Sequence, residues 1–331
     1  MIKDSMKEIH VQNAVGMVLA HDLTQIIPGK FKGRLFKKGH VIVKEDIPQL
    51  LNIGKEHIYI LDIPNEYLHE DEAAGRMAAA VSGKNVYATG PSEGKMTIKS
   101  RIQGLLKVNE QAIHQINDFE GIACSTMVTN RPVEKDEGIG GVRPIPLMIE
   151  KSIIGKIELI CSKYPYIVDV LPFRKLKVGM VTTGSEVFEG RIQDKFGPVV
   201  KTKIEHFGSE IVEQSFAPDE SKVIENKIRY LLNQGVDLIL VTGGMSVDPD
   251  DRTPLAIKNT GADIIRYGTP MLPGSMLLIS YLKGIPILGL PGCVMHDPYT
   301  SFDVFLPRIL AGEKITTKDI TSLGYGGFHK C

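Results

Sequence analysis

From residue 175 onward the apolar positions fall into two alternating patterns. KVGMVTTG is an unbroken apolar run that stops at a glycine, the pattern of a strand buried on both faces. Residues 198–207 repeat their apolar positions at helical spacing and are stopped by Gly208. EIVEQSFAP reads as a strand. Asp219 stands where a cap belongs for the helix that runs to Asn233 and is ended by Gly235. VDLILVTGG is a second buried strand. Thr253-Pro254 forms an N-cap and N1 pair opening another helix, followed by the strand ADIIRYG. LLISYLKGIPILGLPG predicts two strands joined at Lys283-Gly284, and residues 299–310 a last helix. Strands alternating with helices in this way predict βαβ units, hence an α/β fold with a mostly parallel sheet covered on both faces.

The first 172 residues lack this regularity. Residues 1–65 carry short β patterns with turns at Pro28-Gly29 and Lys32-Gly33, and predict a small β-rich region. Residues 66–172 predict an α+β region. HEDEAAGRMAAAVSG is a helix with acids at its positive end, and PIPLMIEKSIIGKIELI is two strands joined through a helix or turn. LPFRKLK, residues 171–177, predicts a linker. The expected domains are therefore 1–65, 66–172 and 173–331.

Composition narrows the function class. Among 331 residues, 39 Lys and Arg balance 39 Asp and Glu, and the balance also holds on each side of Phe173. A dedicated nucleic-acid binder needs a basic surface, so none is expected. Cys124, Cys161, Cys293 and Cys331 show no CxxC spacing, and the N-terminus has no apolar leader. Reduced thiols in a cytoplasmic protein are expected. Residues 276–295 are the most apolar stretch, but two prolines and three glycines interrupt it, which argues against a membrane span.

In an open α/β sheet, ligands bind beyond the carboxyl ends of the strands. Three candidate loops sit there. Thr182-Thr183-Gly184-Ser185-Glu186 follows the first strand and can form an anion nest. Thr242-Gly243-Gly244-Met245-Ser246-Val247 gives a ligand close access to backbone and hydroxyls. Leu290-Pro291-Gly292-Cys293 turns where a phosphate can meet backbone N–H groups. Asp248, Asp250 and Asp251 crowd before a helix start, where they either serve its dipole or hold Mg²⁺ with phosphate oxygens.

Taken in order, KVGMVTTGSEV, Ala217-Pro218-Asp219-Glu220, LILVTGGMSV with Asp251, Met271-Leu272-Pro273-Gly274-Ser275 and ILGLPG resemble the molybdenum cofactor biosynthesis domain. That domain is shared by molybdopterin adenylyltransferases and molybdopterin molybdotransferases. The resemblance covers residues 175–310, somewhat under half of the chain. It implies a three-layer α/β/α domain binding molybdopterin, or its adenylylated form, through Thr183, Gly184, Ser185, Glu186, Thr242, Gly243, Gly244, Ser246, Pro291 and Gly292. It implies that Asp219 and Asp251 serve catalysis, with Mg²⁺ at Asp251 and Asp248 and molybdate as a co-substrate. Three departures stand out. The Asp-Gly-Tyr-Ala motif of the molybdotransferases is absent, Asp194-Lys195-Phe196 replaces their Asp-Ser/Thr-Asn, and Pro291-Gly292-Cys293-Val294 replaces Pro-Gly-Asn-Pro. The molybdotransferases also continue into a further small β domain beyond their equivalent of this region.

The function implied is a molybdopterin-binding protein of molybdenum cofactor biosynthesis, inserting molybdate into adenylylated molybdopterin with release of AMP. Two alternatives stay open. One is a non-catalytic pterin carrier or sensor whose first 172 residues dock a cofactor-biosynthesis protein or a molybdoenzyme. The other is a molybdopterin adenylyltransferase or a nucleotide hydrolase, because the competence/damage-inducible family resembles the same domain. A homo-oligomer is expected. With no net charge to draw in an anion, binding falls to loop N–H groups and to local cations such as Lys195 or Arg252.

Overall fold

A computed structural model describes residues 6–329 except 28–30, 62, 93, 247, 249 and 250. The expected turn at Pro28-Gly29, the loop residues Val247, Pro249 and Asp250, and Cys331 lie outside the described residues. The chain divides into two compact units, one of residues 1–101, 108–127 and 136–169, the other of 102–107, 128–135 and 170–331.

In the first unit, Met6–His10 and Val18–Leu19 both pair antiparallel with His57–Leu61. Leu23–Ile27 forms a hairpin with Phe31–Phe36. Val11, Leu19, Ile42, Leu50, Ile58 and Ile60 are buried together beneath these strands. A four-stranded antiparallel sheet follows, in the order Ile122–Thr126, Gly138–Pro144, Lys95–Ser100, Val86–Ser92. The helix Glu70–Val81 packs on it. Ala73, Ala74, Met77, Ala78 and Val81 are its buried apolar residues, a stripe one helix face wide, and Glu70 in its first turn is buried as well.

One segment differs from the sequence reading. Beyond Pro144, which ends the strand Gly138–Pro144, only Met148–Glu150 of PIPLMIEKSIIGKIELI is a strand, and Lys151–Cys161 is a helix. Ile154, Ile157 and Cys161 are its buried positions, spaced three and four apart. Helical period, not the β-branched composition, decides the segment.

Cys124 and Cys161 are buried in this unit. Burial pushes the Cys124 thiol up to about 12, with Cys161 adding to it. Burial raises Cys161 to about 11, helped by the Glu158 charge. Since the thiolate is the nucleophile, both should resist alkylation at neutral pH. Iodoacetamide labelling followed by peptide mapping should find Cys293 modified well before either of them.

The second unit is built on a six-stranded mixed sheet. Its elements are β1 (Lys177–Thr183), α1 (Ser185–Phe188), α2 (Phe196–His206), β2 (Glu210–Ala217), α3 (Ser221–Asn233), β3 (Leu238–Thr242), α4 (Thr253–Asn259), β4 (Asp263–Tyr267), β5 (Leu278–Leu282), β6 (Ile285–Leu290), α5 (Ser301–Leu310) and α6 (Thr317–Ser322). The strand order is β2-β1-β3-β6-β5-β4. The first four run parallel and the β6-β5 and β5-β4 pairs are antiparallel. The apolar stretch 276–295 is thus mainly the β5-β6 hairpin, turned at Lys283 and Gly284, both with positive φ. Among the described residues no helix is long and apolar enough to cross a membrane.

Two cores flank the sheet. Val178, Met180, Leu238 and Leu240 face Val200, Phe302 and Phe305 on one side. Val181, Ile239 and Val241 face Ile224, Ile228, Ala256 and Ile257 on the other. Alternate residues of each strand serve opposite layers, giving the α/β/α arrangement. α6 escapes the sequence reading, although Thr316 and Asp319 form a capping box at its start.

Candidate functional site

The parallel strands β1, β2, β3 and β6 end along one edge of the sheet, and each runs into a loop with candidate residues. β1 leads through Gly184 into the short helix α1. Ser185 donates both its N–H and its hydroxyl to one Asp219 carboxylate oxygen, at 2.8 and 3.0 Å. The Asp219 N–H donates back to the Ser185 hydroxyl at 3.3 Å. Asp219 therefore does not cap α3, as its sequence position suggests; the capping position falls on Glu220, which makes no side-chain bond. Its carboxylate caps α1 from across the sheet edge and ties the β1 and β2 loops together. The Glu186 carbonyl accepts from Arg191 N–H at 2.9 Å, closing the loop that follows.

The β3 loop is the most constrained. Gly243 and Gly244 have φ of +88° and +58°. A Cβ on Gly243 would lie 2.5 Å from the Thr183 carbonyl oxygen, so only glycine fits. The Thr253 hydroxyl donates to the Gly243 carbonyl at 2.8 Å, and Thr253 N–H donates to the Gly244 carbonyl at 3.2 Å. Thr253 is thus the first residue of α4, with Arg252 in the capping position, one residue earlier than expected. From the far edge of the sheet, the Tyr267 hydroxyl donates to the Met245 carbonyl at 2.9 Å and contacts that of Ser246 at 3.3 Å. Burial raises the Tyr267 phenol above its ordinary value, and the Asp251 charge adds to this. Asp251 closes the loop by accepting the Asp248 N–H at 3.0 Å.

A cavity of about 570 Å³ opens on this loop. Gly243, Gly244, Ser246 and Asp251 form one wall, Pro291 and Gly292 at the end of β6 another. Leu272, Pro273, Gly274 and Ser275 form a third. The structure therefore brings six of the expected residues together. Thr183, Gly184, Ser185, Glu186 and Asp219 sit in the neighbouring loops and do not line it. Thr242 is fully buried beneath, and its hydroxyl has no partner among the described residues. Asp248, Lys195 and Arg252 do not line it either. Asp194 caps α2 through Phe196 and Gly197 N–H groups at 2.8 and 3.1 Å and takes a bond from Gln214.

Four contributors stand outside the expected site residues. The Leu272–Ser275 segment was part of the ordered phrases but was given no role. Cys293 and Asp297 also line the cavity; the charge of Asp297 close after the Pro-Gly turn was the only available signal. Tyr267 could not be found by pattern, because its partners lie more than twenty residues away. Tyr267→Phe should free the loop locally, at about 1 kcal/mol. Hydrogen exchange of residues 244–248 should then quicken while the melting temperature barely moves.

For Mg²⁺, the fit is that of a cation shared with a ligand. Asp251 faces the cavity and commits one oxygen to the Asp248 N–H. Among the described residues no three His, Cys, Asp or Glu side chains converge as a self-sufficient metal cage.

Residues 179–311 match the model of the probable molybdopterin binding domain. Residues 8–62 match a family described only as a domain of unknown function. A CinA-like protein of Mycobacterium avium is 39% identical over 77 residues, which is 23% of this chain and 18% of that protein. The chain thus matches under a fifth of the length of that curated relative. Among solved structures, the molybdopterin biosynthesis enzyme MoaB of Thermus thermophilus is 24% identical, with a TM-score of 0.35, covering 42% of this chain and 98% of its own. The protein CinA of Thermoplasma acidophilum is 18% identical, with a TM-score of 0.33, covering 36% of this chain and 89% of its own. The match to the probable molybdopterin binding domain thus lies within the α/β unit.

Proposed function

We propose that the α/β unit binds molybdopterin, with its phosphate at the Gly243-Gly244 loop, and that the protein works in molybdenum cofactor biosynthesis, inserting molybdate into adenylylated molybdopterin with release of AMP. The observation that carries this reading is the cavity that joins Gly243, Gly244, Ser246, Asp251, Pro291 and Gly292, inside the segment matched by the molybdopterin-binding model. Two successive left-handed glycines expose their backbone to a ligand, and the Ser246 hydroxyl lies beside them. Phosphoryl chemistry depends on positioning and on charge. The loop is held from three sides by Thr253, Tyr267 and Asp251, so its donors need not reorganise around a ligand. Asp251 would hold Mg²⁺ jointly with the phosphate oxygens, and the ion would neutralise their charge.

The test is release of AMP from adenylylated molybdopterin, with and without molybdate and Mg²⁺. Release that requires molybdate supports insertion. Tight binding without AMP release supports a carrier instead. One observation favours that second reading: the Asp219 oxygen that accepts from Ser185 does so twice, and Asp219 does not line the cavity.

A further inference from the structure

The first unit holds a cavity of its own, about 690 Å³, between the Leu23–Ile27/Phe31–Phe36 hairpin, the segment after it, and the start of the Glu70–Val81 helix. Glu70 lines it although the residue is only 7% exposed. Its carboxylate makes no hydrogen bond or ion pair among the described residues. Burying an ionised carboxylate without a partner is costly. Burial accordingly raises its pKa, opposed by the His69 and Arg143 charges and reinforced by Asp71.

The surroundings make room for this group. Gly39 and Gly94 flank it, both with positive φ. A Cβ on Gly94 would lie 2.5 Å from one carboxylate oxygen, and one on Gly39 3.5 Å from the other. Nearby polar groups are otherwise engaged. His69 Nε2 is 2.9 Å from the Gly39 carbonyl, and its Nδ1 accepts the Asp71 N–H at 3.2 Å. Asp71 accepts from Gly94 N–H at 3.0 Å.

The rest of the cavity restricts what can meet this carboxylate. Phe36, Val41 and Leu147 supply apolar walls, and Arg34, Lys37, Lys38 and Arg143 supply cations. Asp22 offsets part of that charge by pairing with Arg34 at 3.1 Å. A bare metal ion or a simple amine would be repelled by the cations and would leave the apolar walls unfilled. A ligand that fits has adjacent N–H donors at one end, a flat apolar body, and an anionic group at the other. The volume suits a molecule of nucleotide size.

We propose that this cavity binds a phosphorylated heterocycle with the 2-amino-4-oxopyrimidine edge common to guanine and the pterins, its two neighbouring N–H groups held by Glu70 and its phosphate by the surrounding cations. The site is independent of the α/β cavity and of the function proposed for it.

The full-length protein can be titrated calorimetrically with GMP, neopterin monophosphate, IMP and AMP. GMP and neopterin monophosphate should bind at least about tenfold tighter than IMP, which lacks the 2-amino group, and AMP, which has no such N–H pair. The tighter of the two identifies the natural source of the edge. Glu70→Gln should remove that preference. Equal affinity for GMP and IMP overturns the proposal, and needs no variant. Selective binding that survives Glu70→Gln also overturns it. Failure to release AMP from adenylylated molybdopterin bears only on the function proposed for the second unit.

Discussion

Asp251→Asn is expected to lower AMP release from adenylylated molybdopterin on the order of a hundredfold or more, as does loss of a preorganised electrostatic group elsewhere. The amide keeps an oxygen that can accept the Asp248 N–H, so the loop turn survives. What it loses is the charge that faces the cavity. Melting temperature should therefore stay within a degree or two of wild type while turnover collapses. Pterin affinity measured without Mg²⁺ should change little or improve, because a carboxylate beside a phosphate repels it. Full turnover in this variant would remove Asp251 from the chemistry. Equal losses of turnover and stability would assign it a structural role only.

Arg308→Met is expected to destabilise the second unit by about 3–5 kcal/mol, the usual result of removing one partner from a buried charge network. Arg308 is 8% exposed and donates to Glu313 and Asp319, both at 2.7 Å. Glu313 also pairs with Lys107. Burial raises the pKa of Glu313, but its bonds to Lys107 and Arg308 outweigh this and hold it below its ordinary value. The same balance holds for Asp319, with Thr316 and Arg308 as its partners. Carboxylates with lowered pKa add stability that is fully present above their unfolded values near 4 and is lost as pH falls through the folded ones. Wild-type stability, followed by urea unfolding, should thus fall below about pH 4.5. In Arg308→Met the acid-dependent part should shrink, because the cation that depresses both carboxyls is gone. An unchanged pH profile would show that the network contributes little.

The two halves of the chain were unequally readable. The α/β unit declares itself because buried parallel strands such as VDLILV are continuous apolar runs and its helices end at glycines. Gly243, Gly244, Pro291 and Gly292 were legible for the same reason, since strand ends mark where a ligand meets the sheet. Asp219 was legible as a residue but not in its role. Its sequence position next to α3 suggested a cap, whereas its bonds go to Ser185, which is remote in sequence. Tyr267 illustrates the same limit: it bonds groups brought near only by folding. The helix Lys151–Cys161 was obscured by its isoleucines and by Gly155, which mimic a strand locally.

The second unit draws strands Gly104–Val108 and Pro132–Val133 into itself, mostly from residues 102–107 and 128–135, well before its main body begins at 170. Lys107, the partner of Glu313, arrives with them. These two strands pair with each other, and Gly104–Val108 also pairs with Val168–Pro172, so their small sheet is complete before residue 173; only Lys107 waits for Glu313. A shortened gene that starts at Phe173 would omit them and leave the Arg308 cluster without its outer lysine. One that stops at 172 would keep that small sheet but leave Lys107 without Glu313. A cut at residue 173 thus separates this small sheet and Lys107 from the unit that holds Glu313, an ion pair that closes across 206 residues of chain.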